Sequence, residues 1–445
     1  MNEISLGTEP LNKLMLRMVI PALLAQLVST LYNIVDRIYI GRIPDYGELA
    51  LTGVGITFPI VTFIMAFSQF AGSGGAPIAS RFLGQEDYQK AENILLNSTS
   101  LLIIFSIILS ILLYAFKIPL LNMFGASPNT LPYADEYLSI YLIGTLFVQI
   151  TVGLNPFISA QGYSKIAMLS TLIGAITNII LDPIFIFWFG MGVKGAGWAT
   201  VISQALSSVW IIYFLSSKKS VLRLSIKKLH LDKPTLLKIS ALGISPFVMQ
   251  STNSLVSIVL NSGFERYGGD IYVGAMTIMS SLSILLTVPL DAFRQGITPI
   301  LSYNYGAGNI ERILGIMKRF ILSSAITSIV ISGLIILFPT LFVTMFTPNL
   351  ELIELTSSLV PMFFIGSPLL GILFSSQGCF LAFGLAKHSI FVAMTRKVII
   401  LIPLAIILPN FFGVMGLIYA QPIADIIAIL SAALTLYVVI KKRII

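Results

Sequence analysis

Twelve apolar stretches of roughly 20–30 residues constrain this chain more than any other feature. Their limits fall at 14–40, 50–80, 94–116, 137–160, 166–190, 195–215, 236–263, 271–303, 316–340, 357–383, 389–409 and 414–440. Each is long enough to cross about 30 Å of hydrocarbon as a helix rising 1.5 Å per residue. The chain is therefore expected to be an all-α polytopic membrane protein of twelve transmembrane helices. Composition agrees, since only 10% of its 445 residues are charged, against about 25% in soluble domains.

An even number of spans puts both termini on one side. Most of the 27 basic residues fall on that side, and four, Arg42, Lys117, Lys194 and Arg266, fall on the other. By the positive-inside rule the termini are expected in the cytoplasm, with the protein in the cell membrane. The same asymmetry explains the formal charge of +8 without any nucleic acid as partner. The longest connection, 216–235, reads SSKKSVLRLSIKKLHLDKPT. It divides the chain into an N-terminal six-helix lobe, 1–215, and a C-terminal one, 236–445, and is expected to lie on headgroups or in solvent as a basic cytoplasmic linker. His230 and His388 receive no role, and Cys379, the one cysteine, reads as a small core hydrophobe.

One carboxylate stands out against this background. In TNIILDPIFIFW, Thr177 to Trp188, Asp182 sits inside an apolar span, where a charge costs about 2.5–3.5 kcal/mol on insertion scales and therefore faces a bundle interior or a wet cavity. Asn178 lies one turn earlier on the same helix face. Pro183 removes a backbone donor and crowds the carbonyl of Ile179, leaving polar backbone beside the acid.

The two halves also resemble each other. Moving the second half back by 222 residues lays ITPILSYNYG, Ile297 to Gly306, on GAPIASRFLG, Gly75 to Gly84, pairing Pro77 with Pro299 and Gly84 with Gly306. Gly144 then falls on Gly366, and GYSK at 162–165 on GLAK at 384–387. Six helices followed by six in the same orientation are parallel repeats, the architecture of an alternating-access transporter with its substrate between the lobes.

Several runs carry a resemblance to a known family. The IPA opening of the first span, VDRIYIG at Val35 to Gly41, GAPIASRFLG, NIILDPIF at Asn178 to Phe185 and GAGWATVISQ at Gly195 to Gln204 together resemble the multidrug and toxic compound extrusion (MATE) transporters, over nearly the whole chain. NIILDPIF resembles the DinF-like branch and its multidrug-exporting relatives. The resemblance implies a proton or cation site in the N-terminal lobe built from Asp36, Asn178, Asp182 and Thr200. It also marks a departure. Other branches place a further acid on the seventh or tenth helix, where this chain has Gln250, Asn253, Asn261 and Gln377.

Span geometry is consistent with that site, since Asp36, Asp182 and Thr200 all fall in the outer half of their spans. Two carboxylates in one low-dielectric site titrate as a coupled pair. Carboxylate, amide and hydroxyl oxygens are hard ligands, so both H+ and Na+ fit as coupling ion and no further cofactor or metal is expected. The alternative for Asp36 is a salt bridge to Arg37, which successive helical residues are poorly placed to make.

In the second half, Asp291 and Arg294 lie one turn apart and are expected to neutralise each other. Asp425, with Gln421 a turn away, is left open as a contact for ion or cationic substrate. Tyr32, Met65, Gln69, Phe157, Asn253, Met276 and Met279 are candidate cavity walls, of a kind that favours flat lipophilic cations. The expected function is export of cationic or lipophilic drugs in exchange for H+ or Na+, by a monomer in the bilayer. The alternative is a flippase for a lipid-linked saccharide, which calls for a more basic cavity. No catalytic motif points to an enzyme.

Overall fold

The protein, a computed structural model, is described over residues 5–443, so the extreme ends to which the topology expectation applies, 1–4 and 444–445, lie outside the described residues. The first half comprises α1 (Leu11–Gly41), α2 (Gly47–Gly84), α3 (Tyr88–Met123), α4 (Leu131–Ile143), α5 (Thr145–Ala160), α6 (Ser164–Pro183) and α7 (Gly192–Ser216). Then come α8 (Lys233–Gly268), α9 (Asp270–Gly306), α10 (Ile310–Leu337), the short α11 (Pro339–Val343), α12 (Leu350–Phe364) and α13 (Leu370–Ala382). The chain ends in α14 (Ala386–Met394), α15 (Ile402–Ile407), α16 (Pro409–Phe412) and α17 (Val414–Arg443). The fold is all-α, with no strand among the described residues.

Among the described residues nine helical stretches are long and apolar enough to cross a membrane, and two bent pairs, α4–α5 and α12–α13, raise the number to eleven. The remaining expected span is α8, which at 36 residues is long enough to cross. Its run from Gln250 to Ser262 is crowded with Ser, Thr, Asn and Gln, which makes it the least apolar of the long helices. The twelve expected spans are thus matched by nine to eleven apolar ones among the described residues, with α8 set apart by its uncharged polar groups.

The internal repeat explains where helices stop. Gly84 ends α2 and Gly306 ends α9. Three residues later Asp87 accepts from the Lys90 N–H to cap α3, as Asn309 accepts from the Arg312 N–H to cap α10, each side chain binding an otherwise orphaned donor of the first turn. Gly144 and Gly366, paired by the same shift, lie at the breaks of the two bent spans, where the chain turns by 60° and 49°. Gly162 and Gly384 both take positive φ, +88° and +69°, a conformation that a side chain disfavours and that lets the next helix start at once.

Two compact units divide the chain, Met1–Gln250 and Ser251–Ile445, so their border falls inside α8 and not in the 216–235 segment. In the first unit α1 packs along α6, α2 along α3 and α5, and α7 against α4, α5 and α6. The first half of α8 belongs to this unit because glycine meets glycine. A Cβ on Gly74 of α2 would stand 2.7 Å from the Gly243 Cα of α8. One turn on, the Phe247 ring packs edge-on against Phe67, with centroids 5.0 Å apart. In the second unit α9 packs on α10 and α13, and α13 on α17, over a core that includes Phe264, Met279, Leu282, Phe364 and Leu417.

The 216–235 segment is strapped to the first unit. Gln161 Oε1 accepts from the N–H groups of Val221 (2.8 Å) and Leu222 (3.0 Å), and Leu222 is fully buried. Asn97 Oδ1 accepts from the Asp232 N–H at 2.6 Å, and Asn97 Nδ2 lies 3.4 Å from His230 Nε2. Asn97→Ala is expected to loosen the strap by the cost of unpaired buried donors, about 1–3 kcal/mol. Tryptic cutting at Lys227 and Lys228 should then speed up roughly tenfold through local opening. Unchanged cutting kinetics would show that Asn97 does not hold the segment.

Candidate functional site

Asp182 stands one residue before Pro183, and the helix responds to that proline by widening. Ile184–Trp188 forms a π-helical turn, closed by the Phe189 N–H donating to Ile184 O at 2.8 Å and the Met191 N–H to Phe185 O at 3.0 Å. Such turns occur frequently at functional sites. Gly195 lets α7 seat directly on this turn, since a Cβ there would lie 2.7 Å from the Phe185 carbonyl carbon. Backbone geometry thus fixes where Asp182 and the start of α7 meet.

Packing of α1 on α6 brings Asp36 to the same place. The Asp36 and Asp182 carboxyl groups lie within hydrogen-bonding reach of each other, and Asn178 Nδ2 donates to Asp182 Oδ1 at 3.3 Å. Asp182 and Asn178 are buried and Asp36 is half-buried. The Arg37 guanidinium lies 5.5 Å above the Phe58 ring, and no salt bridge joins it to Asp36 among the described residues. Three buried oxygens, Asp36 Oδ1, Asn178 Oδ1 and Asp182 Oδ2, have no hydrogen-bond donor from the protein.

Thr200 reaches the group through an intermediary. Its side chain lies within hydrogen-bonding reach of Tyr137 of α4, which is also close to Asp36 and Tyr32. Tyr137 was not foreseen. The signal was present, because Tyr133, Tyr137 and Tyr141 recur every fourth residue and so share one face of α4. Tyr137 and Tyr141 are buried and stack at 6.2 Å.

Of the candidate wall residues, Tyr32, Met65 and Gln69 are half-buried, and Gln69 accepts from Ser73 one turn along α2. Phe157, Met276 and Met279 sit elsewhere. Phe157 is fully buried beneath Gly75, and the two methionines belong to the core of the second unit. Composition names apolar residues but not the helix face that they occupy.

The second unit holds a polar group of its own. Arg294 donates to Asp291 Oδ1 from Nε at 3.0 Å and from Nη2 at 2.8 Å, the expected mutual neutralisation. Asp425 is buried and accepts from Arg396 Nε at 2.7 Å and from Gln421 Nε2 at 3.2 Å, so an arginine occupies the acid that had been left open. Lys397 donates to Asn253 Oδ1. Lys397 lies near Arg396, Asp291 and Asp425.

Two carboxyl groups within reach of each other, with donorless oxygens beside them, are an arrangement that a shared proton or a small hard cation could bridge.

Comparison with known proteins agrees with the fold and the duplication. The sequence model of the MatE family matches residues 21–184 and again 246–407, once in each half. "Multidrug export protein MepA" of Staphylococcus haemolyticus is 27% identical over 425 residues, 96% of this chain and 93% of that protein. Its namesake from Staphylococcus aureus strain NCTC 8325 is 26% identical over 428 residues, 96% and 94% of the two chains. Among solved structures, a MATE crystal structure in complex with MaD3S superposes with a TM-score of 0.91 at 24% identity, covering 99% of this chain and 98% of that one.

Proposed function

The chain belongs to the MatE family, and from that premise we propose that it exports lipophilic, cationic drugs or toxins by alternating access, driven by H+ or Na+ entering the cell. It is a multi-pass membrane transporter and not an enzyme. Its relatives carry the name of multidrug exporters, which supports a small-molecule substrate for this chain. The organic-cation substrate, the cytoplasmic termini and a monomeric working unit are parts of the same proposal.

One observation carries the coupling assignment, the contact of Asp36 with Asp182 beside three donorless oxygens. An arriving proton or Na+ removes the repulsion between the two acids. Its departure restores that repulsion, so the ion and the helix positions are linked thermodynamically. The decisive measurement is efflux of ethidium from proteoliposomes under separately imposed proton and sodium gradients. One gradient should accelerate efflux and the other should not. Indifference to both would overturn ion coupling.

Helix α1 is the mobile element in this reading. It runs unbroken from Leu11 to Gly41 through Pro21, whose ring removes the bond to the Arg17 carbonyl and leaves a weak point about four turns before Asp36. Spin labels at the exposed positions Leu16 and Ile34 bracket that point. Their distance distribution should change between about pH 5 and pH 9. A distribution constant over that range, with Asp36 shown to titrate, would make the proline a static kink.

A lipid-linked saccharide flippase stays as the second reading because of Lys397, a basic side chain near Arg396 in the second unit, which also holds Arg294. It is the weaker reading, since Asp291 and Asp425 occupy both arginines. Scrambling of a fluorescent undecaprenyl pyrophosphate saccharide without ethidium efflux would reverse the order.

A further inference from the structure

We infer that the 216–235 segment is a docking surface for anionic phospholipid headgroups. The segment sorts its aliphatic side chains in two directions. Leu222 and Leu224 are buried in the first unit, whereas Ile226 and Leu231 are 73% and 51% exposed. Ile226 opens a short 3-10 turn, Ile226–Lys228, that also carries Lys227 and Lys228. Apolar and basic side chains presented side by side are the pattern of a segment that lies in a membrane interface. Two tyrosines mark the depth. Tyr213, 70% exposed, stands three residues before the end of α7, where the segment begins, and Tyr88, half exposed, opens α3. The segment crosses the first turns of α3 at Glu92 and Asn97. Tyrosines at the ends of membrane helices sit at headgroup level, so the segment that leaves one and passes beside the other runs among headgroups.

Charge gives the sign of the headgroup. From Ser216 to Lys238 the chain carries seven basic residues and one acid, Asp232. That acid serves the segment itself, accepting from the Thr235 N–H at 3.2 Å. Lys218, Lys219, Arg223, Lys227 and Lys233 are exposed, and no salt bridge joins any of them to an acid among the described residues. Lys228 reaches Glu92 at 3.6 Å with its side chain largely in solvent, a surface pair that water and salt already weaken. Each lysine or arginine near an anionic leaflet contributes about 1 kcal/mol of attraction. A soluble acidic partner would use the charges and leave Ile226 and Leu231 in water. A phospholipid uses both, its phosphate meeting the ammonium groups and its glycerol and upper chain meeting the aliphatic ones. The segment is also ordered in advance, because Gln161 holds Val221 and Leu222, and Asn97 holds Asp232. Docking therefore costs little conformational entropy.

The test uses the full-length protein in phosphatidylcholine nanodiscs. Cys379 is buried, so a thiol-reactive fluorophore labels Leu231→Cys alone. Phosphatidylglycerol or phosphatidylcholine, each spin-labelled near the headgroup end of one acyl chain, is titrated in as quencher. Phosphatidylglycerol is expected to quench at about tenfold lower mole fraction. Replacing Lys227, Lys228 and Lys233 together by Gln should bring that ratio below about threefold, and replacing them by Arg should keep it. Raising the salt from about 0.1 M to about 1 M, which shortens the screening length from about 10 Å to 3 Å, should shrink it as well. Inorganic phosphate added at constant ionic strength should leave the ratio unchanged. Equal quenching by the two lipids, no quenching by either, or a ratio that survives in the Gln variant overturns the surface. Loss of the ratio to inorganic phosphate overturns it too, because the basic cluster is then a site for a soluble anion. The salt and phosphate arms keep every lysine in place and decide the matter even where the Gln variant does not fold. No ion gradient is applied, so the outcome is independent of the export reading.

Discussion

Asp182→Asn is expected to leave a folded protein in the membrane and to reduce gradient-driven export to the leak of protein-free vesicles. The substitution keeps the shape of the side chain and lets it exchange hydrogen bonds with Asn178, now 3.3 Å from Oδ1. It also removes one of two carboxylates that lie within hydrogen-bonding reach of each other. Relieving a buried like-charge contact does not cost stability and often adds to it. What is lost is the ability to bind and release a positive charge. An amide neither takes up a proton near neutral pH nor offers Na+ a full negative charge. Thermal unfolding should therefore be unchanged or raised while coupling vanishes, a combination that a purely structural Asp182 would not give. Tyr137→Phe makes a graded companion. It deletes only the hydroxyl that meets Thr200, worth about 1 kcal/mol, and should slow export roughly fivefold. Full gradient-driven export by Asp182→Asn would overturn the site.

How much of this could be read from the sequence depended on whether the signal was local. Asp182, Asn178 and Pro183 declared themselves because a charge and a helix breaker in an apolar run are anomalies within a single span. Helix ends such as Gly84 and Gly306 declared themselves through the repeat, which fixes register across a turn. The role of α4 did not. A tyrosine is unremarkable in a membrane helix, and only the packing of α4 on α7 turns Tyr137 toward Thr200. Phe157 and Met279 show the limit from the other direction. An amphipathic pattern is weak when both lipid and core are apolar, so sequence cannot say which face of a membrane helix is buried.

The crossing of α2 and α8 supplies the second large effect. Gly243→Val should both destabilise the first unit and stop export. A Cβ at 243 would run into the carbonyl oxygen of Phe70, and one at 74 would stand 2.8 Å from the carbonyl of Ile239, so backbone meets backbone and no side chain can give way. Close glycine approaches of this kind are how membrane helices pack when no hydrophobic effect drives them together. Overpacking costs about 1–3 kcal/mol where side chains can adjust, and the upper end applies here. The same unit carries Asp36 and Asp182, so a first unit that loses its packing loses the proposed coupling site with it. Gly55→Ala is the control, on the same α2 but where a Cβ meets nothing within 4 Å. It should leave export intact and stability unchanged or up to about 1 kcal/mol higher. Thermal unfolding in detergent and ethidium efflux from vesicles read both variants, and a Gly243→Val protein that unfolds and exports like the unaltered one would show that α2 and α8 do not meet at these glycines.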